Sequence, residues 1–554
     1  MYLKRSAVSL ILVCCALLSM FYWWKASQPV ILVDALTDHL SCVSYAPFRK
    51  PGQTPFDKSL LIDADEIETD LKLLSQRFDC VRIYSVNQGL QEVPRLAQKH
   101  GMKVLLGIWI GRNAVENERE LTRGIDLAKK YSSSIRAVIV GNEVLLRGEQ
   151  PASAMRAYLQ RVKDAVKDVP VTYADVWEFW LSHPELAEAV DFVTIHILPY
   201  WEDRPIDIDN AVGHVSHIYQ HVKGLVKGKD VMIGETGWPS YGRQRQGAAP
   251  SLINQARFIR EFAVRAELEK IPYNVIEAFD QPWKRKLEGA VGGYWGLYDR
   301  LDQAKFPFRG PVAEAPDWSL AAIGAMSLIF FAFLRNWKSL PGREIALLLA
   351  LSIACGGACM AAWRDMAMAS RGLVEGTLMG IFSALLLVAT FMLGAPLAAW
   401  CVRGQDAPTV APLSQLLLWI RRNEQRYDAP ARGLGALRIL FLFGAAFVSL
   451  LLVFDPRYRD FPLALYAVPA IGFALLSTIN PRQQADLEEI MLAAWVGLSA
   501  PLIALSEHLI TPRDAPWRMA DSLNPHALGW SGLSLLLSGA VLVPVILQLR
   551  TRQS

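Results

Sequence analysis

Cysteine is scarce in this chain, with seven among 554 residues and no C-x-x-C pair. That count and spacing exclude both a disulfide scaffold and a zinc module. A charge excess is also missing. Lysine and arginine total 57 against 53 aspartates and glutamates, a net of +4, and no basic cluster is dense. Nucleic acid is therefore not an expected partner. No Gly-rich turn follows the first strand-like run, where Tyr45-Ala46-Pro47-Phe48 stands instead. The main sign of a dinucleotide fold is thus lacking. The C-terminal part carries no repeat, nucleotide loop or metal-ligand cluster, and neither a metal nor a cofactor is expected.

What is present is apolar. The hydrophobic set makes up 52% of the residues and charged residues 20%, too apolar for a wholly soluble enzyme. The length calls for more than one domain. Residues 1–27 read as a signal anchor: Lys4-Arg5-Ser6 precedes an apolar run from Ala7 to Trp24, about long enough to span a bilayer. A small-x-small cleavage pattern is absent after it, and Cys14-Cys15 lacks the small residue that precedes a lipoprotein cysteine; the segment is expected to stay. Residues 28–316 have the mixed charge of a globular block. Residues 317–554 hold seven further apolar segments, near 318–334, 345–363, 373–400, 436–454, 461–478, 490–508 and 528–548.

Loops beginning at Arg335 (with Lys338), Arg403 and Asn480, together with both tails, carry more Lys and Arg than the opposite loops, one of which holds Arg513. Eight spans with both termini cytoplasmic satisfy that bias and export the globular block. In a bacterium this places the chain in the inner membrane, with its block in the periplasm and the lipid bilayer as a partner. Glu375 and Glu507 fall near span ends, and Arg438, at the start of a span, is expected to snorkel to the interface.

In the globular block, apolar β-branched runs recur eight times. They begin at Cys42, Cys80, Lys103, Ala137, Val169, Phe192, Val231 and Asn274. Continuous apolar strands imply burial on both faces, as in a parallel sheet. Amphipathic stretches such as Asp63–Phe78 and Ser153–Lys167 lie between them. The expected fold class is α/β: a (β/α)8 barrel, followed by an all-α polytopic membrane domain. Cys42 and Cys80 lie on neighbouring strands; buried free thiols are expected there, since adjacent strand positions rarely meet disulfide geometry.

Barrel chemistry sits past the C-terminal strand ends. Strand four runs into Gly141-Asn142-Glu143 and strand seven into Glu235-Thr236-Gly237-Trp238-Pro239-Ser240. Two carboxylates facing each other across one mouth suit glycosidic bond chemistry, one as proton donor and one as nucleophile. The alternative is that each glutamate caps a helix or pairs with an arginine. Trp109, Trp177, Trp201, Trp238, Trp283 and Trp295 stand at strand ends; indoles there either stack on sugars or pack the core, and Trp238 and Trp283 are the leading stacking candidates.

Gly141-Asn142-Glu143 and Ile233-Gly234-Glu235-Thr236-Gly237-Trp238-Pro239-Ser240 resemble the two active-site motifs of glycoside hydrolase family 17, the β-1,3-glucanases and glucanosyltransferases. Arg82-Ile83-Tyr84, Pro199-Tyr200-Trp201, Phe279-Asp280-Gln281-Pro282-Trp283-Lys284 and Gly296-Leu297-Tyr298 match in order. The resemblance implies a (β/α)8 barrel, with Glu143 as acid/base, Glu235 as nucleophile, and Asn142 bonding the sugar 2-hydroxyl. Tyr84, Tyr200, Trp201, Trp238, Trp283 and Lys284 are candidate sugar contacts. The chain departs from the family at Gln281, where glutamate is common; an amide can still bind a hydroxyl. His196 either orients Glu235 or packs the core. Glu277 either contacts sugar or forms a buried ion pair with a residue such as Arg82.

The overall arrangement resembles bacterial membrane proteins of that family that branch or extend periplasmic β-glucans, the rhizobial cyclic β-(1,3),(1,6)-glucan type among them. The implied activity is a retaining β-1,3-glucan transglycosylase able to form β-1,6 links. An endo-β-1,3-glucanase and a glucan-binding or export protein are the alternatives. The implied partners are β-1,3-glucan or cyclic β-glucan and a glucan synthase in the same membrane.

Overall fold

The computed structural model describes residues 2–553 apart from 227, 336–341, 423–425, 511–517 and 520–522; Lys338 and Arg513 lie outside the described residues. The chain divides into two compact units, Val30–Val312 on one hand and Met1–Pro29 with Ala313–Ser554 on the other.

The first unit is a closed barrel of eight parallel strands in sequence order. These are β1 (Leu40–Ser44), β2 (Phe78–Ile83), β3 (Lys103–Ile108), β4 (Ile135–Asn142), β5 (Val171–Val176), β6 (Val193–His196), β7 (Val231–Thr236) and β8 (Tyr273–Val275). The ring closes where β1 meets β8, Cys42 opposite Asn274 and Val43 opposite Val275. Helices between the strands start on side-chain caps at Asp63, Asn113, Asp207 and Ser251, which satisfy the exposed N–H groups of the first turn. The stretch expected to be helical over 63–78 ends at Leu74, because Phe78 already enters β2. Strand β5 begins at Val171, two residues later than expected. Pro170 has no N–H for a ladder, and only its carbonyl serves, accepting from Val138.

Cys42, Cys80, Leu105, Ala137, Ile139, Ala174 and Met232 pack together as a separate cluster, all of them at strand positions that alternate into the lumen. Cys42 and Cys80 in this cluster are joined by a disulfide, contrary to the expectation of free thiols. They are directly paired across β1 and β2 with Cα atoms 4.4 Å apart, within bonding reach.

The second unit is helical. Among the described residues, seven helices are long and apolar enough to cross a membrane: Lys4–Ser27, Pro316–Arg335, Glu344–Ala369, Leu373–Arg403, Ala429–Phe454, Leu487–His508 and Pro525–Thr551. The eighth expected segment forms a shorter apolar helix, Leu463–Ile479. The N-terminal helix does not stand apart as a lone anchor. Ser19 bonds the Ile353 carbonyl at 3.0 Å and Trp23 bonds that of Gly357 at 3.3 Å. A Cβ at Gly357 would lie 1.9 Å from Ser19 Oγ, so only glycine admits this approach.

Arg438 does not snorkel. It is 1% exposed and holds Glu489 at 2.8 Å. Glu489 also accepts the Leu413 and Asp486 N–H groups. Leu413 opens an unforeseen helix, Leu413–Arg422, which exposes Ile420 and ends on Arg421 and Arg422.

Candidate active site

The end of β4 is shaped by backbone conformation. Gly141 has φ +83° and Glu143 φ +51°, and the pairing of β4 with β5 shifts register between Ile139 and Asn142. A Cβ at Gly141 would stand 2.8 Å from carbons of Met155 and Val144. The strand therefore bulges at its rim and turns the two side chains after Gly141 towards the mouth. On β7, Glu235 lies opposite His196, again at a register shift.

One carboxylate oxygen each of Glu143 and Glu235 and a ring nitrogen of His196 lie within 4.8 Å of one another. Oε1 of Glu235 accepts from Tyr84 at 2.8 Å and from Arg82 at 3.0 Å. Arg82 is buried. It also donates to the Gly234 carbonyl at 2.8 Å and to Oδ1 of Asn142, and its guanidinium lies 4.6 Å from the Tyr84 ring centre. His196 Nε2 is 3.0 Å from Asn142 Oδ1 and 3.7 Å from Glu235, so its hydrogen bond orients Asn142. Asn142 is left with its amide N–H groups to offer.

The two carboxyls are driven apart in acidity. Burial, then the charge of Glu235, pushes Glu143 up to about 8. Burial works to raise Glu235 as well, but His196, Arg82 and the Tyr84 hydrogen bond outweigh it and hold the group below its ordinary value. Burial lowers His196 to about 4, so near neutral pH the imidazole is uncharged, its charge acts on Glu235 only in acid, and Arg82 with the Tyr84 hydrogen bond is what favours the Glu235 carboxylate there. A neutral ring donating from Nε2 leaves Nδ1 bare, and that atom is buried without a partner. Glu143, His196 and Glu235 are metal-ligand residue types. A cation there would, however, lie close to the Arg82 guanidinium, which already bonds Glu235 at 3.0 Å.

Around this pair the other candidates divide. Glu277 forms its ion pair with Lys284, at 2.8 and 2.9 Å, and not with Arg82; burial pushes Glu277 up to about 7. Gln281 is fully buried. Its amide donates to Ala46 O at 2.6 Å and accepts the Trp283 indole N–H at 2.8 Å, so it braces Trp283 from behind. Trp283 is half-buried with Phe56 edge-on at 5.5 Å. Trp201 is half-buried and stacks on the buried Trp295.

Trp238 and Tyr200 are core residues. Trp238 has no exposed surface and donates to Ala249 O; Tyr200 is 1% exposed and donates to Arg243 O. Trp238 does not fit the stacking role expected of it, because a ring enclosed on both faces cannot meet a sugar, and Tyr200, expected as a sugar contact, is enclosed in the same way. Trp109 lies under the Arg147 guanidinium and Trp177 bonds Glu202.

Arg82 had been named only in a matching run and as an ion-pair partner for Glu277; it grips Glu235 instead, and its signal was a charge at a lumen-facing position of an apolar strand. Two further participants had not been singled out. Ser44 stands 2.8 Å from the Tyr84 hydroxyl and accepts from Asn274 at 2.8 Å. Glu288 senses both Lys284 and Glu235, and burial raises its carboxyl; it ends a four-residue helix, Arg285–Glu288, too short to show a periodicity.

Residues 42–296 match the family model described as the BtgE/BtgC glycoside hydrolase domain. The barrel is similar to glycoside hydrolase domains of the family 17 type. It is 29% identical over 287 residues to the glucan endo-1,3-beta-glucosidase btgC of Emericella nidulans, covering 46% of this chain and 42% of that one. It is 24% identical over 265 residues to the glucan 1,3-beta-glucosidase of Saccharomyces cerevisiae, covering 44% of this chain and 84% of the relative. The chain thus spans less than half the length of the first curated relatives it matches. An active-site mutant of the Rhizomucor miehei beta-1,3-glucanosyltransferase, solved with laminaritriose, aligns at 25% identity and a TM-score of 0.43 over 50% of this chain and 98% of that one.

Proposed function

We propose that the protein is a membrane-bound retaining β-1,3-glucan transglycosylase acting by double displacement. The observation that carries this reading is the pair Glu143 and Glu235, within 4.8 Å of each other and unequal in acidity. A short carboxyl separation of roughly 5 Å belongs to the retaining course. Protonated Glu143 gives its proton to the leaving glycosidic oxygen. Glu235, its Oε1 fixed by Arg82 and Tyr84, attacks the anomeric carbon through Oε2, and the Asn142 amide donates to the sugar 2-hydroxyl. Glu143, now a carboxylate, then takes a proton from the acceptor hydroxyl as that oxygen displaces Glu235.

The names of the relatives favour β-1,3-glucan, linear or cyclic, as substrate, and a β-1,6 branch is the transfer product we favour. The donor is a preformed glucan supplied by a synthase in the same membrane. The apolar helices support insertion in the bilayer, and the Cys42–Cys80 disulfide supports an oxidising compartment. Together they favour a bacterial inner membrane protein with its barrel in the periplasm and both termini cytoplasmic. Hydrolysis is the second reading, favoured by the glucosidase names of the relatives.

The test incubates the detergent-solubilised full chain with laminari-oligosaccharides and follows product length by mass spectrometry and linkage by NMR. Products longer than the substrate support transfer. Shorter ones alone support hydrolysis, and unchanged substrate refutes both.

A further inference from the structure

We propose that the Cys42–Cys80 disulfide is a positioning element of the catalytic pair, and that a small dithiol entering from the opposite end of the barrel releases it. The inference rests on reading Glu235 as the nucleophile.

Side chains alternate along a strand, so residues 42 and 44 share one face of β1 and residues 80 and 82 one face of β2, with Tyr84 just past its end. The pairing places Cys42 opposite Cys80 and Ser44 opposite Arg82. The covalent bond therefore lies one layer beneath Ser44, Arg82 and Tyr84. Those three residues connect to Glu235: Arg82 and Tyr84 bond its Oε1 directly, and Ser44 meets both Tyr84 and Asn274. Asn274 and Arg82 also share the Gly234 carbonyl, next to the nucleophile, each at 2.8 Å. Any sliding or splaying of β1 against β2 moves both donors of Glu235 together. Backbone hydrogen bonds resist such motion one at a time; the disulfide resists it covalently.

One side chain, Arg136, links the bond to open space at the opposite end of the barrel. A cavity of about 500 Å³ opens at the N-terminal strand ends, lined by Leu40, Ser41, Asp79, Arg136 and Tyr273 among others. Arg136 reaches from this cavity to within 3.5 Å of Cys42 Sγ. A guanidinium so placed stabilises a thiolate, which makes Cys42 the leaving sulfur. The thiolate of a dithiol attacks Cys80 Sγ, the S–S bond breaks, and Cys42 departs as a thiolate facing Arg136 and takes up a proton. The second thiol of the reagent then attacks its own bonded sulfur, releasing Cys80 as a thiol and leaving the reagent as a cyclic disulfide. Two electrons and two protons pass to the protein. Both sulfurs are at most 1% exposed, so the reductant must be small.

The experiment compares the oxidised full chain in detergent with the same sample treated with dithiothreitol, using hydrogen exchange of residues 78–84 and 231–236 and laminari-oligosaccharide turnover across pH. Reduction is expected to speed exchange in both segments and to lower kcat by about tenfold. It is also expected to move the acid limb of the pH profile upward as Arg82 and Tyr84 lose their grip on Glu235, and reoxidation should restore all three. Cys42→Ala/Cys80→Ala should behave as reduced protein whether or not dithiol is present, and Arg136→Gln should slow reduction. Unchanged exchange at 231–236 after proven reduction overturns the inference whatever the enzyme does. If the oxidised chain shows no turnover, the functional reading falls, and exchange alone still decides the positioning role.

Discussion

Tyr84 donates its hydroxyl to Oε1 of Glu235 at 2.8 Å, although the two residues lie 151 positions apart in sequence, one just past β2 and the other on β7. Only a closed barrel brings these strand ends to one mouth. The contact commits Oε1 of the carboxylate, with Arg82 as its second donor.

Replacing Glu235 by Gln removes the nucleophile with little change in shape. Turnover of laminari-oligosaccharides should fall at least a thousandfold, roughly the scale seen when a nucleophile is removed, while sugar binding by calorimetry persists. Retained turnover would refute the assignment.

Activity should follow a bell in pH. Glu143 must carry a proton, and its acidity is pushed to about 8, so the rate declines as pH rises through that value. Glu235 must be ionised and is held below its ordinary value, so the rate declines on the acid side below the usual glutamate range. Arg82→Gln should move the acid limb upward and leave the alkaline limb less affected, read from kcat/KM against pH.

Gly141→Ala places a Cβ in a left-handed conformation against Met155 and Val144. A loss of about 1–3 kcal/mol is expected in denaturant unfolding, together with reduced turnover, since the bulge it shapes aims Glu143.

Lys284→Met leaves the Glu277 carboxyl buried without its cation. Breaking such a pair costs about 3–5 kcal/mol. Glu277 is raised to about 7 in the folded chain even with Lys284 present, so the folded state binds its proton where the unfolded state has released it, and stability falls as pH rises. The variant should lose more melting temperature at pH 8 than at pH 5; an equal loss at both would contradict the burial of this pair.

In the helical unit, Arg438→Gln strips the partner from the fully buried Glu489. Thermal unfolding in detergent should show a loss of about 3–5 kcal/mol, whereas Arg421→Gln, at an exposed position of the helix Leu413–Arg422, should be close to silent.

Much of this was legible beforehand. The eight apolar runs announced the barrel because a strand buried on both faces must be apolar throughout, and Glu143 and Glu235 were visible as the polar residues ending two of those runs. Trp238 and Tyr200 were misjudged for a reason of the same kind. An aromatic at a strand end has the same one-dimensional neighbourhood whether its face meets solvent or the next helix, and here Phe258 and the Arg243 carbonyl occupy that space. Gln281 looked like a hydroxyl binder by position, yet its amide is consumed by Ala46 and Trp283.

By itself, then, the amino-acid order determined the repeated strand–helix architecture, the helical C-terminal unit and the identity of the two rim carboxyls, since each depends on local periodicity or composition. Tertiary structure alone decided the grip of Arg82 on Glu235, the pairing of Glu277 with Lys284 and of Arg438 with Glu489, and the bond between Cys42 and Cys80. Those outcomes depend on distances of a few ångströms between residues far apart in the chain. Burial then turns such proximity into charge, through desolvation that no stretch of sequence carries on its own.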